Sequence, residues 1–227
     1  MVQIDCRNQI LLSFIMYSIQ LTHPFGLLVS GGTKTGKTTF VKQLLSNASV
    51  MIETPPENII YFYSEYQATF GEIEVLVPGI QFVQGLPDSM IDSINPNTRN
   101  LYIIDDMMGE KDAVIAKLFT KKSHHGNLSV IYIVQNLFHQ SKSHRTISLN
   151  ASYLVVTKNV RDASQIVHLA KQLFPSNTKF FQQAYQMATK EPYTYLFVDL
   201  TPTCPDEIRL RSGIFPTDKH YVYQPRV

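Results

Sequence analysis

Hydrophobic runs bounded by turn residues recur along the chain at 25–30, 58–64, 101–105, 129–134, 152–157 and 193–200. They are rich in Ile, Val, Leu, Tyr and Phe and carry apolar residues at odd and even positions alike. This is the pattern of strands covered on both faces in a largely parallel sheet. Helix-length segments at 37–47, 112–123, 163–174 and 177–189 separate several of them. Strand–helix alternation of this kind predicts an α/β fold with a central sheet flanked by helices. The stretch 77–100 contains Pro78, Gly79, Gly85, Pro87 and Pro96 and reads as loop-rich around a short strand at 80–83. Four prolines after residue 200 make 201–227 a tail packed on the surface of the domain. The organisation expected is an N-terminal extension at 1–22, a core domain at 23–200 and that tail.

One loop changes the picture from architecture to chemistry. Gly31, Gly32, Thr33, Lys34, Thr35, Gly36, Lys37 and Thr38 match the phosphate-binding pattern G-x-x-x-x-G-K-[ST] in full, directly after the strand at 25–30 and directly before a helix. The glycines let the loop curl so that backbone N–H groups and the helix N-terminus face a polyphosphate. Lys37 is placed to bridge the β- and γ-phosphates, Thr38 to offer its hydroxyl to Mg²⁺, and Thr39 continues the binding segment into the helix. ATP and Mg²⁺ are the cofactors implied.

Two further strand ends carry polar groups that such a site requires. Leu101-Tyr102-Ile103-Ile104 runs into Asp105-Asp106, an apolar strand closed by two carboxylates. Asp105 is expected to hold Mg²⁺, directly or through water, and Asp106 to act as the base toward the attacking water. Ser129–Val134 ends in Gln135-Asn136, and Gln135 is expected to orient that water and report the γ-phosphate. An acidic pair separated from the loop strand by an intervening strand points to hydrolysis that drives motion rather than to transfer onto a small acceptor.

Charge and cysteine content restrict the partners. With 20 Lys+Arg against 18 Asp+Glu, any grip on nucleic acid must come from a local patch. Lys121, Lys122, His124, His125, Lys142, His144 and Arg145 form such a patch, expected on loops flanking 129–134 and suited to phosphate contact without base readout. His124 and His125 have no cysteine or carboxylate at ligand spacing, so zinc is not expected. Cys6 and Cys204 read as free thiols of a reducing compartment. The apolar stretch 10–21 is interrupted by Ser13, Tyr17, Ser18 and Gln20 and falls short of the roughly 20 residues that span a bilayer. Neither a membrane anchor nor secretion is expected from it. Met107-Met108, Phe180-Phe181, Tyr193 and Tyr195 read as packing residues.

These segments together resemble the genome-packaging ATPases of the FtsK/HerA superfamily, and among them the poxvirus-like type of Polinton/Maverick elements and adintoviruses. The resemblance rests on the loop at 31–38, on Ile103-Ile104-Asp105-Asp106, and on residues 123–129 running into Gln135-Asn136-Leu137-Phe138. It is extended by Arg145-Thr146-Ile147-Ser148-Leu149-Asn150 and by 195–200 with Arg209-Leu210-Arg211. It spans residues 23–215, and Lys34 departs from the residues such loops usually carry. It implies a RecA-like P-loop domain that hydrolyses ATP to translocate double-stranded DNA. The partners implied are that DNA, a homo-oligomeric ring of five or six copies and a capsid or portal-like component. The setting implied is the intracellular site of virion assembly, with no membrane. In such rings an arginine from the neighbouring subunit completes the site; Arg145 is the first candidate, with Arg209 and Arg211 as alternatives. Two other classes match the loop by itself: a small-molecule or nucleotide kinase, and a nucleotide-switched interaction protein.

Overall fold

The computed structural model describes residues 2–4, 10–14, 19–107, 109, 111–123, 126–137, 142–160 and 163–225, and the side chains among these except at 2–4, 10–14, 121 and 122. The core is a run of parallel strands: β3 (Gly26–Ser30), β4 (Asn58–Tyr63), β5 (Gln81–Gln84), β6 (Asn100–Asp105), β7 (Leu128–Val134) and β8 (Tyr153–Thr157). Antiparallel strands continue it on one side: β9 (Tyr195–Asp199), β10 (Leu210–Ser212), β11 (Tyr221–Pro225), β2 (Ile10–Phe14) and β1 (Val2–Ile4). The eleven-stranded order is β1-β2-β11-β10-β9-β8-β3-β7-β6-β4-β5. Thus β7 lies between the loop strand β3 and the acidic strand β6, the RecA-like arrangement. Helices cover both faces.

Alternate residues of each core strand feed opposite layers. Leu27, Val29, Ile131 and Ile133 pack under α1 (Lys37–Ser46), α2 (Ala48–Met51) and α3 (Thr69–Leu76). Leu28, Val130, Tyr132 and Ile104 pack under α5 (Asp112–Lys117), α6 (Lys142–Asn150), α7 (Ser164–Leu173) and α8 (Thr178–Ala188). Burial on both faces is what makes these strands continuous apolar runs, since neither face is left for water. The phosphate loop follows the carboxyl end of β3, and Asp105 and Gln135 stand at the carboxyl ends of β6 and β7. In open α/β sheets ligands bind at that rim.

Several elements differ from the sequence expectation. The loop-rich stretch contains α4 (Asp88–Asp92), and α3 precedes it. The helix expected over 112–123 is α-helical over Asp112–Lys117 and then widens into a π-turn at Leu118–Lys122. Lys142, His144 and Arg145, expected on a loop, lie on α6. The segment after residue 200 supplies β10 and β11 to the same sheet, and β11 pairs with β2. Among the described residues no helix is long and apolar enough to cross a membrane.

Candidate functional site

The loop after β3 is shaped by two close approaches. Gly31 sits against Thr157 at the end of β8, where an added Cβ would come 1.8 Å from the Thr157 hydroxyl oxygen. The Thr157 and Thr35 hydroxyls are 2.6 Å apart, and Thr35 donates to the Gly32 carbonyl at 2.8 Å. Gly36 caps α1 at φ 97, a left-handed conformation that glycine takes without a Cβ clash. No side chain caps α1, and no acid lies in its first turn. Its first N–H groups and the positive end of its dipole are therefore left for an anion. Lys37 donates from Nζ to the Gly31 and Gly32 carbonyls at 2.8 and 2.7 Å, folded back over the loop it serves. Burial lowers its pKa, opposed by the nearby carboxylates of Asp105 and Asp106.

The loop opens into a cavity of about 500 Å³ lined by Lys37, Thr38, Asp105, Asp106, Gln135 and Tyr193, among others. Asp105 is buried at the end of β6, and its Oδ2 accepts hydrogen bonds from the Tyr61 hydroxyl at 2.8 Å and Gln67 Nε2 at 3.2 Å. Burial raises its pKa, and the Tyr61 hydrogen bond pulls the other way. Both bonds engage Oδ2, which leaves Oδ1 for a ligand. Asp106 is exposed, stands at φ 54 and accepts a hydrogen bond from Gln135 Nε2 at 3.0 Å. A non-glycine residue in that region is uncommon and clusters at functional sites. The expected base and the expected water-orienting amide therefore touch.

A triphosphate and its cation fit these residues. An uncapped helix N-terminus, a half-buried lysine and a half-buried threonine hydroxyl face two carboxylates across one cavity. Thr38 and Asp105 are the oxygen donors a Mg²⁺ ion would use. Gly31, Gly32, Thr33, Lys34, Thr35, Gly36 and Thr39 make up the rest of the loop and the first turn of α1, and Lys34 is exposed at φ 61.

The remaining sequence candidates lie elsewhere. Arg145 is exposed on α6 and borders a separate cavity with Leu149, Leu173 and Leu200. His144 is buried, at 1% exposure, which corrects its assignment to a DNA-gripping patch: a side chain packed beside Tyr132 does not reach phosphate. Lys142 is exposed on the same helix, while His124, His125 and the side chains of Lys121 and Lys122 fall outside the described residues. Arg209 spends its guanidinium on the carbonyls of Asp199, Thr201 and Cys204 and on Asp206. Arg211 donates to the Ile208 carbonyl and the Cys204 sulfur. Cys204 is a free buried thiol, pushed by burial up to about 11. Among the described residues no cluster of His, Cys, Asp or Glu could hold a metal on its own.

Four site residues were not foreseen. Tyr61 and Gln67 reach Asp105 from β4 and the loop after it, and Thr157 braces the loop from β8. Tyr193, expected to be packing, is 72% exposed and lines the cavity. None has a signal in its own sequence neighbourhood, because each meets the site only once the folded sheet has brought its segment near.

This fold and rim define the class of RecA-like P-loop domains. No protein-family model and no curated protein sequence matches the chain. Solved structures similar to it include the cytoplasmic domain of EssC, at 12% identity and a TM-score of 0.47 over 64% of this chain and 33% of that one. Another is EssC (ATPases 2 and 3) from Geobacillus thermodenitrificans, at 10% identity and a TM-score of 0.48 over 89% of this chain and 39% of that one. The chain thus spans well under half of either. The fold assignment rests on its own strand order and loop.

Proposed function

We propose that this chain is an ATP-hydrolysing motor of the FtsK/HerA superfamily. It translocates double-stranded DNA as a ring of five or six copies and fills a preformed capsid through a capsid or portal-like component, at the intracellular site of virion assembly. The observation that carries the hydrolytic part is the convergence of Lys37, Thr38, Asp105, Asp106 and Gln135 on one cavity, with Gln135 bonded to Asp106. The DNA and capsid parts are supported by the resemblance at 123–129, 135–138, 145–150, 195–200 and 209–211, and by the exposed cations Lys142 and Arg145 on α6.

In this mechanism the loop N–H groups and Lys37 bind the β- and γ-phosphates, with Lys37 exchanging the Gly31 and Gly32 carbonyls for phosphate oxygens. Thr38 and Asp105 would hold Mg²⁺, which would supply neutralisation of the phosphate charge. Asp106 takes the proton of the attacking water, and Gln135, already bonded to Asp106, holds that water in line. Arg145 of a neighbouring copy stabilises charge on the departing phosphoryl group, an effect worth about 10³–10⁵ in rate where such arginines act. Each turnover breaks the γ-phosphate contacts of Gln135 and so signals to β7 and α6.

Steady-state ATP hydrolysis by the protein and by Lys37→Ala, with and without linear double-stranded DNA at two salt concentrations, tests this. Stimulation by DNA that weakens with salt and disappears in the variant is expected. Stoichiometric phosphoryl transfer to a small acceptor without DNA stimulation would establish a kinase instead. Nucleotide binding with negligible turnover would establish a switch.

A further inference from the structure

Tyr193 sits between α8 and β9 in a conformation that its surroundings do not repay. Its φ is 63, in the left-handed region that bulky residues seldom take, and its ring is 72% exposed. The turn itself is held by the Thr194 hydroxyl donating to the Glu191 carbonyl at 2.8 Å, and does not use the Tyr193 ring. A glycine would suit this backbone better, and a polar residue would suit this exposure better. What the ring does have is position. It lies against Gly36, where an added Cβ would meet the Tyr193 Cβ at 3.4 Å, and it is the residue shared by two adjoining cavities.

The first cavity holds the phosphate machinery and includes Thr39. The second, of about 430 Å³, is lined by Gln43, Met187, Glu191 and Thr194 with Tyr193 at its edge. Gln43 follows Thr39 by four residues, just over one turn of α1, a rise of about 6 Å along the helix. A ligand anchored by its terminal phosphates at Lys37 and Thr38 and running along α1 therefore leaves the first cavity and enters the second at Tyr193. The part of a nucleotide that lies beyond its phosphates is a ribose and a flat base.

We propose that Tyr193 is the platform on which the nucleobase stacks, at the mouth where the two cavities meet, so that this one ring sets much of the affinity for a nucleotide over a bare polyphosphate. The inference rests on the nucleotide-binding reading of the loop. Stacking on an aromatic ring tolerates any base because every base has a π-face, so the ring contributes alike to ATP and GTP. Discrimination between them falls to polar groups in the second cavity such as the Gln43 amide.

Calorimetric titration of the full chain with ATP, GTP and inorganic tripolyphosphate tests it, using wild type, Tyr193→Phe, Tyr193→Gly and Lys37→Ala. Tyr193→Gly is chosen because glycine is at ease at φ 63, so the variant is expected to melt at or above the wild-type temperature and its binding defect is not a folding defect. The expected result is a loss of about 5- to 150-fold in ATP and GTP affinity in Tyr193→Gly, unchanged tripolyphosphate affinity, and near-wild-type binding by Tyr193→Phe. ATP binding by Tyr193→Gly at wild-type strength would overturn the stacking role and leave the loop reading intact, as would an equal loss of ATP and tripolyphosphate. Absence of ATP binding by wild type, or undiminished binding by Lys37→Ala, would overturn the loop reading and the inference with it.

Discussion

Asp106 and Gln135 show how single side chains are poised at this rim. A carboxylate at φ 54, exposed and bonded to an amide at 3.0 Å, is oriented while staying open to water, whereas its neighbour Asp105 is buried and shielded by Tyr61 and Gln67. Adjacent in sequence, the two acids occupy opposite environments, which suits Asp105 to the proposed cation-holding role and Asp106 to the proposed proton-accepting one. Asp106→Asn, which keeps a hydrogen-bonding side chain but cannot accept the proton, is expected to lower kcat for ATP hydrolysis by about 10²–10⁴. Its ATP affinity, measured by equilibrium titration, is expected to stay within a few fold of wild type. Full turnover in that variant would remove the base from the mechanism. The acids and the amide were legible in the sequence because each closes an apolar strand. Tyr61 was not, because nothing in Asn58–Tyr63 shows which neighbouring strand its hydroxyl will face.

Between elements, the decisive contact is the end of β8 against the start of the phosphate loop. Thr157 bonds to Thr35 and occupies the space a Cβ at Gly31 would need, so loop curvature is set by a strand far along the chain. Gly31→Ala is expected to distort the loop and destabilise the fold by about 1–3 kcal/mol through overpacking, with a matching loss of nucleotide affinity. Gly31→Ala combined with Thr157→Ala, which removes the clashing hydroxyl, is expected to recover part of both. Thermal melts and ATP titrations of the single and double variants measure the coupling; strictly additive losses would show that the two residues do not constrain each other. The strands themselves were readable from the sequence, since burial on both faces leaves unbroken apolar runs. Helix α6 was not, because Lys142–Asn150 is polar nearly throughout and is anchored by buried Ile147 and His144 rather than by an apolar stripe. The pairing of β11 with β2 was hidden for another reason: proline-rich spacing marks turns but does not show that the segments between them join a sheet.

For the whole molecule, the proposed ring makes activity a property of neighbours. Arg145 does not line the cavity of its own chain, as a residue acting on an adjacent copy requires. Mixing inactive Lys37→Ala chains with inactive Arg145→Ala chains is expected to restore ATP hydrolysis at interfaces that pair an intact loop with an intact arginine. Recovery that peaks near equal proportions supports this; no recovery at any ratio would exclude Arg145 from that role. The strand order of the parallel run bears on a different property, the order in which the chain can mature. Strand β3 is held between β7 and β8, so residues 26–30 emerge early yet find their partners only after residues 128–134 and 153–157 have been made. During vectorial synthesis the nucleotide loop thus exists as sequence long before it exists as a binding surface. A nascent or truncated chain ending before β8 lacks the brace at Thr157, and ATP would distinguish finished molecules from unfinished ones.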